Sequence, residues 1–319
     1  MLNTAQYADL TWQSRKNSGA VAANGNPAHA QFGNGVTPVI PDFIFPAGAS
    51  ASDARVANVG GVYTNYSSDI DGADFNKTKW LITKANKEGT NWFDEIFHSA
   101  PIQNHQLGVS GGNDNGRYAM SLNYFDQKGI MLYTNYKRYS LRANTEFNVN
   151  KRVRLGQNFQ IAYGDRVNQP NGNSNESNAV SFAFRIQPIV PVYDVSGVNF
   201  GGTRGTDLDN SRNPVGDLYR NKDNHQLEMR LFGNAYAEVD ILKNLTAKTS
   251  FGVDYNTFNF RNNTIRDIES AEARGSNGLT TSTNYEWTWT WYNTLNYTLD
   301  IGQNQRLNAL VAFDGFNTY

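Results

Sequence analysis

The chain has 319 residues, a formal net charge of −1, four histidines and no cysteine. That balance offers no case for nucleic acid or anionic lipid as a partner, and it excludes disulfide staples and thiolate metal sites. A mean hydropathy of −0.59 and the lack of any apolar run of about 18 residues exclude transmembrane helices, but say nothing against strands that cross a membrane by alternation.

The opening, MLNTAQYADLTWQSRKNSG, has no basic segment ahead of an apolar core, so it predicts no signal peptide and either a cytosolic protein or a piece of a longer one. Residues 4–16 predict a short helix with Thr4 as its cap and Tyr7, Leu10, Ala8 and Trp12 as a rough apolar stripe. Residues 17–60 are rich in Gly, Asn, Ala and Pro without a sustained period, which predicts irregular chain. DIDGAD (69–74) superficially suggests calcium, but Gly72 comes too early and Trp80 stands where a loop of that type needs Glu, so a turn is expected. Residues 74–98 predict two helical pieces, DFNKTKWLITKANKEG and then NWFDEIFHSA. Tyr63, Tyr66, Trp80, Trp92 and Phe93 are expected to pack there.

From His105 the period becomes two. Eight strands are predicted, near 105–112, 116–126, 136–149, 152–165, 226–241, 245–260, 281–300 and 305–316. In the third, Tyr139, Leu141, Ala143, Thr145, Phe147 and Val149 share one parity, against Arg138, Ser140, Arg142, Asn144, Glu146 and Asn148. Short turns at 112–115, 150–151, 242–244 and 302–304 alternate with longer connections at 127–135, 166–225 and 261–280. Two slabs fit this alternation. In a soluble or surface-exposed β-sandwich the oily face is the core; in an outer-membrane barrel it meets lipid and the polar face lines a wet lumen. Strands mostly longer than ten residues fit the barrel, since soluble strands average about 5–6. Charge in the strand interiors falls only on the polar parity, as both readings require. Aromatics near strand ends, Tyr136, Tyr139, Tyr163, Tyr255, Tyr285, Trp287 and Tyr297, sit where a barrel carries its girdles.

NWFDEIFHSAPIQNHQLGVSGGNDNGRYAMSLNYFDQKGIM (91–131) resembles the barrel of the SusC/RagA family of TonB-dependent outer-membrane transporters. YKRYSLRANTEFNV (136–149), NPVGDLYRNKDN (213–224), LFGNAYAEVDILKNLTAKTSFGVDYN (231–256) and the opening LNTAQYADLTW are similar to that family in order and spacing. The resemblance implies an all-β fold: an antiparallel transmembrane β-barrel segment, about eight strands of a barrel of about 22. Residues 1–104 are expected to form an irregular, short-helical region at the mouth, and 105–319 the barrel strands. It further implies import of glycan or peptide cargo, a SusD-like surface lipoprotein, the TonB complex acting through a plug that this sequence lacks, and a place in outer-membrane lipid. The chain reads as a fragment of such a transporter. Lumen candidates are Arg138, Arg142, Glu146, Glu228, Arg230, Glu238 and Asp240, with pairing among themselves as the default. Lipid-facing or girdle candidates are Tyr139, Tyr163, Tyr255, Trp287, Trp289, Trp291 and Tyr297. The 166–225 segment with RIQPIVPVYDVSG is a candidate contact for lid or cargo, its prolines also reading as a rigid connector; Tyr193, Phe200 and Tyr219 are admissible cargo contacts.

No enzyme is expected. GGVYTNY and FGGTRG lack a phosphate loop's context, His29, His98, His105 and His225 have no ligand spacing, and Asp94/Glu95 read as a solvated helix face. No cofactor, metal or nucleic acid is called for. Two alternatives stay open: the β-sandwich used for adhesion, and a small closed eight-stranded barrel.

Overall fold

The computed structural model describes residues 1–45, 57–59, 62–64, 82–169, 178–195, 197–302 and 304–319. Eight long strands form one antiparallel sheet in strict sequence order: β5 (Ile102–Asn113), β6 (Gly116–Lys128), β7 (Asn135–Asn150), β8 (Val153–Val167), β9 (His225–Leu242), β10 (Leu245–Thr264), β11 (Gly278–Ile301) and β12 (Gln305–Thr318). All eight predicted strands are present, each extended by a few residues. Two two-stranded ribbons, β1 (Phe43–Ile44) with β4 (Thr83–Lys84) and β2 (Ala57–Val59) with β3 (Val62–Thr64), are separate. No second sheet packs on the large one among the described residues, which removes the sandwich. β5 and β12 lie at opposite edges and do not pair, which removes the closed eight-stranded barrel.

The register fixes a tilt. His105, Tyr124, Tyr139, Tyr163, Met229, Thr257 and Tyr285 form one continuous cross-strand row. Measured from that row, β5 ends eight residues further on at Asn113, β7 eleven further at Asn150, β9 thirteen further at Leu242 and β11 sixteen further at Ile301. The line of short turns therefore drifts by eight residues over six strand spacings. At about 3.4 Å per residue and about 4.8 Å per strand, the strands lean about 43° from the normal to that line, within the range of closed barrels.

The opposite edge of the sheet carries a cap. α1 (Thr4–Ser18), α2 (Trp92–Ile96), α3 (Ala179–Arg185) and α4 (Pro214–Asn221) share one apolar core with Trp12, Phe32, Trp92, Ile186, Ile189 and Leu218 buried in it. Asn3, not Thr4, caps α1: its side chain accepts from Gln6 N–H at 2.8 Å while Gln6 Oε1 accepts from Asn3 N–H at 3.1 Å. Thr4 is buried and donates to Asn86 O at 2.6 Å.

The helix expected over 74–89 is corrected where it is described. Ile82 is buried, Thr83–Lys84 pair with Phe43–Ile44, and Gly89 takes φ 96°, so tertiary pairing overrides local propensity; residues 74–81, with DIDGAD, Tyr66 and Trp80, lie outside the described residues. The second piece shortens to Trp92–Ile96. The 166–225 connection is not one loop but carries α3 and α4, and α4 starts as its Asn213-Pro214 pair dictates: Asn213 accepts from Gly216 N–H at 3.0 Å. RIQPIVPVYDVSG mostly serves the core, with Ile186, Gln187, Ile189 and Val190 buried.

Candidate functional site

The two faces of the sheet are the site. Pairing places Leu107, Leu122, Leu141, Ile161, Leu231, Tyr255 and Trp287 in one row on the face called oily from sequence, here termed outer. These side chains are not a core. Leu107 is 71 % exposed and Val311 70 %, and among the described residues of the sheet the only buried hydrophobic is Val167, at the upper end of β8.

Counting along each strand from its short-turn end gives the outer face a ceiling. Tyr163, Tyr255 and Trp291 each stand ten residues above that end, and Tyr139 stands eleven. Tyr124 and His105 stand eight above and join the same row: His105 stacks on Tyr124 at 6.2 Å, and Tyr124 meets Tyr139 at 5.1 Å. Fewer than ten residues above the short-turn ends, no Asp, Glu, Lys or Arg occupies the outer parity of any of the eight strands. The next outer residues are Gln103, Asp126, Lys137, Asp165, Thr257 and Asn317, at ten to thirteen residues. β10 then inverts its pattern: Thr257, Asn259, Arg261 and Asn263 point outward while Phe258 and Phe260 take the inner parity. On β9 and β11 the apolar run continues further, through Leu227 and Tyr285. Trp289 and Trp287 accordingly stand twelve and fourteen residues up, with Trp287 stacked on Tyr319 at 5.1 Å. Tyr297 belongs near the other end, four residues above Ile301. Tyr136, read with the girdle aromatics, instead lies on the inner face, its ring close over Gly164.

The inner face carries the polar side chains in a connected network near the short turns. Arg117 meets Glu146 at 3.1 Å; Tyr236 Oη donates to Glu146 at 2.6 Å, crossing β8 above Gly156, where a Cβ would enter the Tyr236 ring. Lys248 lies 4.2 Å over the Tyr236 ring and 3.7 Å from Glu238. Arg154 binds both Glu238 and Asp240, and Thr246 donates to Asp240 at 2.8 Å. Higher up, Arg230 and Asp254 form a two-point pair at 2.9 and 2.7 Å. Four of the seven lumen candidates, Glu146, Arg230, Glu238 and Asp240, are thus paired, but to Arg117, Asp254, Lys248 and Arg154 rather than to one another. Arg138 sits over the Phe125 ring at 5.7 Å, and Arg142 and Glu228 have no ion-pair partner among the described residues. The Arg154 pairs with Glu238 and Asp240 and the Tyr236–Glu146 bond were beyond reach from sequence because the 57-residue connection between β8 and β9 hides which residues face each other.

Above the inner face lie two clefts. One of about 350 Å³ is lined by Gln127, Tyr136, Arg166, Asn168 and Glu228; the next, of about 250 Å³, shares Arg166 and Asn168 and adds Gln226, Phe260 and Asn262. Beside them the cap is tied to the sheet's connection through charge. Arg220 holds Glu269 with two bonds of 2.6 and 2.9 Å, and Arg274 holds Asp217 at 3.2 Å, so α4 is locked to the β10–β11 connection. Burial pushes the Glu269 carboxyl above its ordinary value against the pull of Arg220. Tyr193, Phe200 and Tyr219 come together as a chain of rings, at 5.5 and 5.6 Å, and Tyr133 extends it to Tyr219 at 5.7 Å. Among the described residues no group of His, Cys, Asp and Glu has the geometry of a metal site.

No protein-family model matches the chain. Among curated proteins it is 30 % identical over 167 residues to TonB-dependent receptor P3 of Formosa agariphila, covering 51 % of this chain and 16 % of that protein. It is 26 % identical over 252 residues to TonB-dependent receptor P26 of the same organism, covering 78 % of this chain and 24 % of that protein. It is also 30 % identical over 113 residues to TonB-dependent receptor SusC of Bacteroides thetaiotaomicron, covering 33 % of this chain and 10 % of that protein. In sequence the chain is similar to TonB-dependent receptors, SusC among them, and is in that sense SusC/RagA-like. Among solved structures, the RagAB peptide transporter superposes with a TM-score of 0.59 at 20 % identity, covering 72 % of this chain and 26 % of that one. The 'closed-closed' state of the RagAB peptide importer gives 0.57 at 22 %, covering 71 % and 25 %. The SusC/RagA-like chain therefore spans about a quarter or less of the length of the relatives it matches, and its sheet is a run of barrel wall.

Proposed function

We propose that this SusC/RagA-like wall sits in the outer membrane as part of an importer of nutrient oligomers, glycans or peptides, that works with a SusD-like lipoprotein and draws on TonB through a plug. The carrying observation is the ceiling on the outer face. Ten residues at about 3.4 Å, leaning about 43°, rise about 25 Å, the height of the apolar band of an outer-membrane barrel. A hydrophobic face so exposed in one protein needs another phase to cover it.

On this reading Tyr139, Tyr163, Tyr255 and Trp291 form the outer-leaflet girdle, Trp289 and Trp287 climb out of it, and Tyr297 serves the inner-leaflet side. Arg138, Arg142, Glu146, Glu228, Arg230, Glu238 and Asp240 line the lumen. Residues 1–104 and the segment between β8 and β9 stand outside, at the mouth, where Tyr193, Phe200 and Tyr219 offer ring faces to cargo. The work is binding and passage.

Nitroxide labels placed singly at Leu141, Phe159, Ala235 and Phe251 of the full-length receptor in lipid vesicles test it. Oxygen should relax these four faster than labels at Ser140, Gln160, Asn234 and Ser250, which should prefer a water-soluble nickel complex. Equal access at both sets would end the membrane reading. Isolation of the receptor from its native envelope without any lipoprotein attached would remove the SusD-like partner alone.

A further inference from the structure

The inner face carries its charge in two blocks. β5–β8 hold five arginines on the inner parity against one acid, Glu146; β9–β12 hold seven acids against Arg230, Lys248 and Arg306. The two halves of the wall are therefore +4 and −4. Near the short turns the blocks neutralise each other: every inner charge within four residues of a turn is paired, Arg306 with Asp300 at 2.7 Å included. Eight or more residues up, Arg230 and Asp254 pair, while Arg138, Arg142 and Arg166 on one side and Glu228, Glu286 and Asp314 on the other have no ion-pair partner among the described residues, Arg166 donating instead to Gln226 at 2.7 Å.

Arg138 and Glu228 belong to the same cross-strand row, separated only by Gly164. Two long side chains at that spacing are able to meet, yet Arg138 is turned away over Phe125, and Glu228 lines the 350 Å³ cleft beside Tyr136 and with Arg166, whose guanidinium is bonded to Gln226. The floor between them is bare glycine with the Tyr136 ring above it. The arrangement leaves room for something bearing both charges.

We propose that the upper lumen binds a zwitterionic oligomer, its acid group toward Arg138 and Arg142 and its ammonium toward Glu228 and Glu286. Two to four strand spacings separate these groups, about 10 to 19 Å along the wall. An oligomer that spans them exchanges water for a salt link at each end, and reversed or singly charged oligomers leave one end facing like charge or none. The shared chemistry, an amine and a carboxylate on one chain, belongs equally to a short peptide with free termini and to an oligosaccharide of amino sugar and uronic acid. This rests on the importer reading and deepens it.

The full-length receptor in vesicles is first checked for quenching of its tryptophans by brominated lipid. Failure there sinks the importer reading, whereas retained quenching isolates the present question. Binding is then measured by calorimetry for the hexapeptide GSGSGS with both ends free, N-acetylated, C-amidated, and blocked at both ends. A glucosamine–glucuronate tetrasaccharide and its N-acetylated form make a second arm. The free-ended member of at least one arm should bind about tenfold more tightly than either singly blocked form, and which arm responds names the source. R138Q/R142Q should erase the advantage of the free carboxylate, and E228Q/E286Q that of the free amine. Equal binding of free and blocked probes, or no binding in either arm, overturns the proposal. So does a loss of thermal stability in the glutamine variants with unchanged probe binding, which would assign these charges to contacts within the receptor.

Discussion

Cap and sheet obey opposite rules within one chain. In the cap, Trp92, Phe32, Ile82 and Ile189 are wholly buried, and polar groups such as Asp217 and Glu269 are buried with them and paired. In the sheet, among the described residues, Val167 alone of the buried hydrophobics is found, and the leucines and phenylalanines of the outer face stand open. The cap is a protein that folds against water. The sheet has no interior, and its two faces are each half of an interface with something else. Side-chain alternation looks the same in both settings, so burial decides which solvent a strand expects. The contrast implies that the same kind of substitution should act differently in the two regions.

The largest effect is expected where the cap buries charge. Glu269→Ala leaves the Arg220 guanidinium in a closed site without its partner, at a cost of about 3–5 kcal/mol. Limited proteolysis should then cut within 178–221 while the strands stay protected. The pair replacement Arg220→Met with Glu269→Leu should recover most of the loss. If Glu269→Ala alone leaves the cap protease-resistant, the cap is not held as a water-type core.

Next comes the sheet's outer face. Ala237 stands five residues above the end of β9, at the middle of the apolar band, flanked by Leu155 and Thr249. Ala237→Arg should cost about 2–4 kcal/mol in refolding into vesicles, and Ser250→Arg, at the same height on the inner face, less than about 1. In a water-type fold the two would be alike or reversed, so this ratio is the sharpest single check on the contrast.

How far the sequence carried differs between the same two regions. The strands were legible because period-two alternation runs for ten or more residues, and each predicted boundary lies within four residues of the observed one. The cap was poorly legible because its elements are short and hold one another. α3 and α4 have seven and eight residues, below the length at which periodicity speaks, although Asn213-Pro214 was a readable start. Thr83–Lys84 became a strand only because Phe43–Ile44 lies beside it. The candidate charges fell on the expected parity, yet the partners of Glu238, Asp240 and Glu146 on the far side of the β8–β9 connection depend on register across 57 residues, which no local pattern encodes.

Smaller still is the effect at Gly156, whose missing side chain lets Tyr236 reach Glu146 across β8. Gly156→Ala should displace that ring and cost about 1–3 kcal/mol. The Tyr236→Leu background should abolish most of this cost, since the ring is what the new methyl strikes. If Gly156→Ala costs the same in both backgrounds, strand twist and not the tyrosine bridge requires glycine.

The smallest effect is a pH response of the cap. Burial pushes the Asp207 carboxyl up, but the Ala30 N–H at 2.7 Å, Arg15 at 3.4 Å and His29 together outweigh it and hold the group below its ordinary value. A depressed carboxyl stabilises the fold above its unfolded value and loses that contribution as pH falls through the folded one, here below about pH 4. Amides of Ala30 to Gly33 should therefore exchange faster with solvent as pH is lowered past that point, after correction for intrinsic rates. Asp207→Asn should flatten the response. The raised Glu269 carboxyl acts in the opposite sense, binding its proton more tightly when folded, so the region around α4 should gain protection as pH falls toward the ordinary glutamate value, before the Asp207 loss begins. Opposite slopes in two parts of one cap would separate a surface link, which loses strength with its charge, from a buried acid that folding would sooner keep neutral.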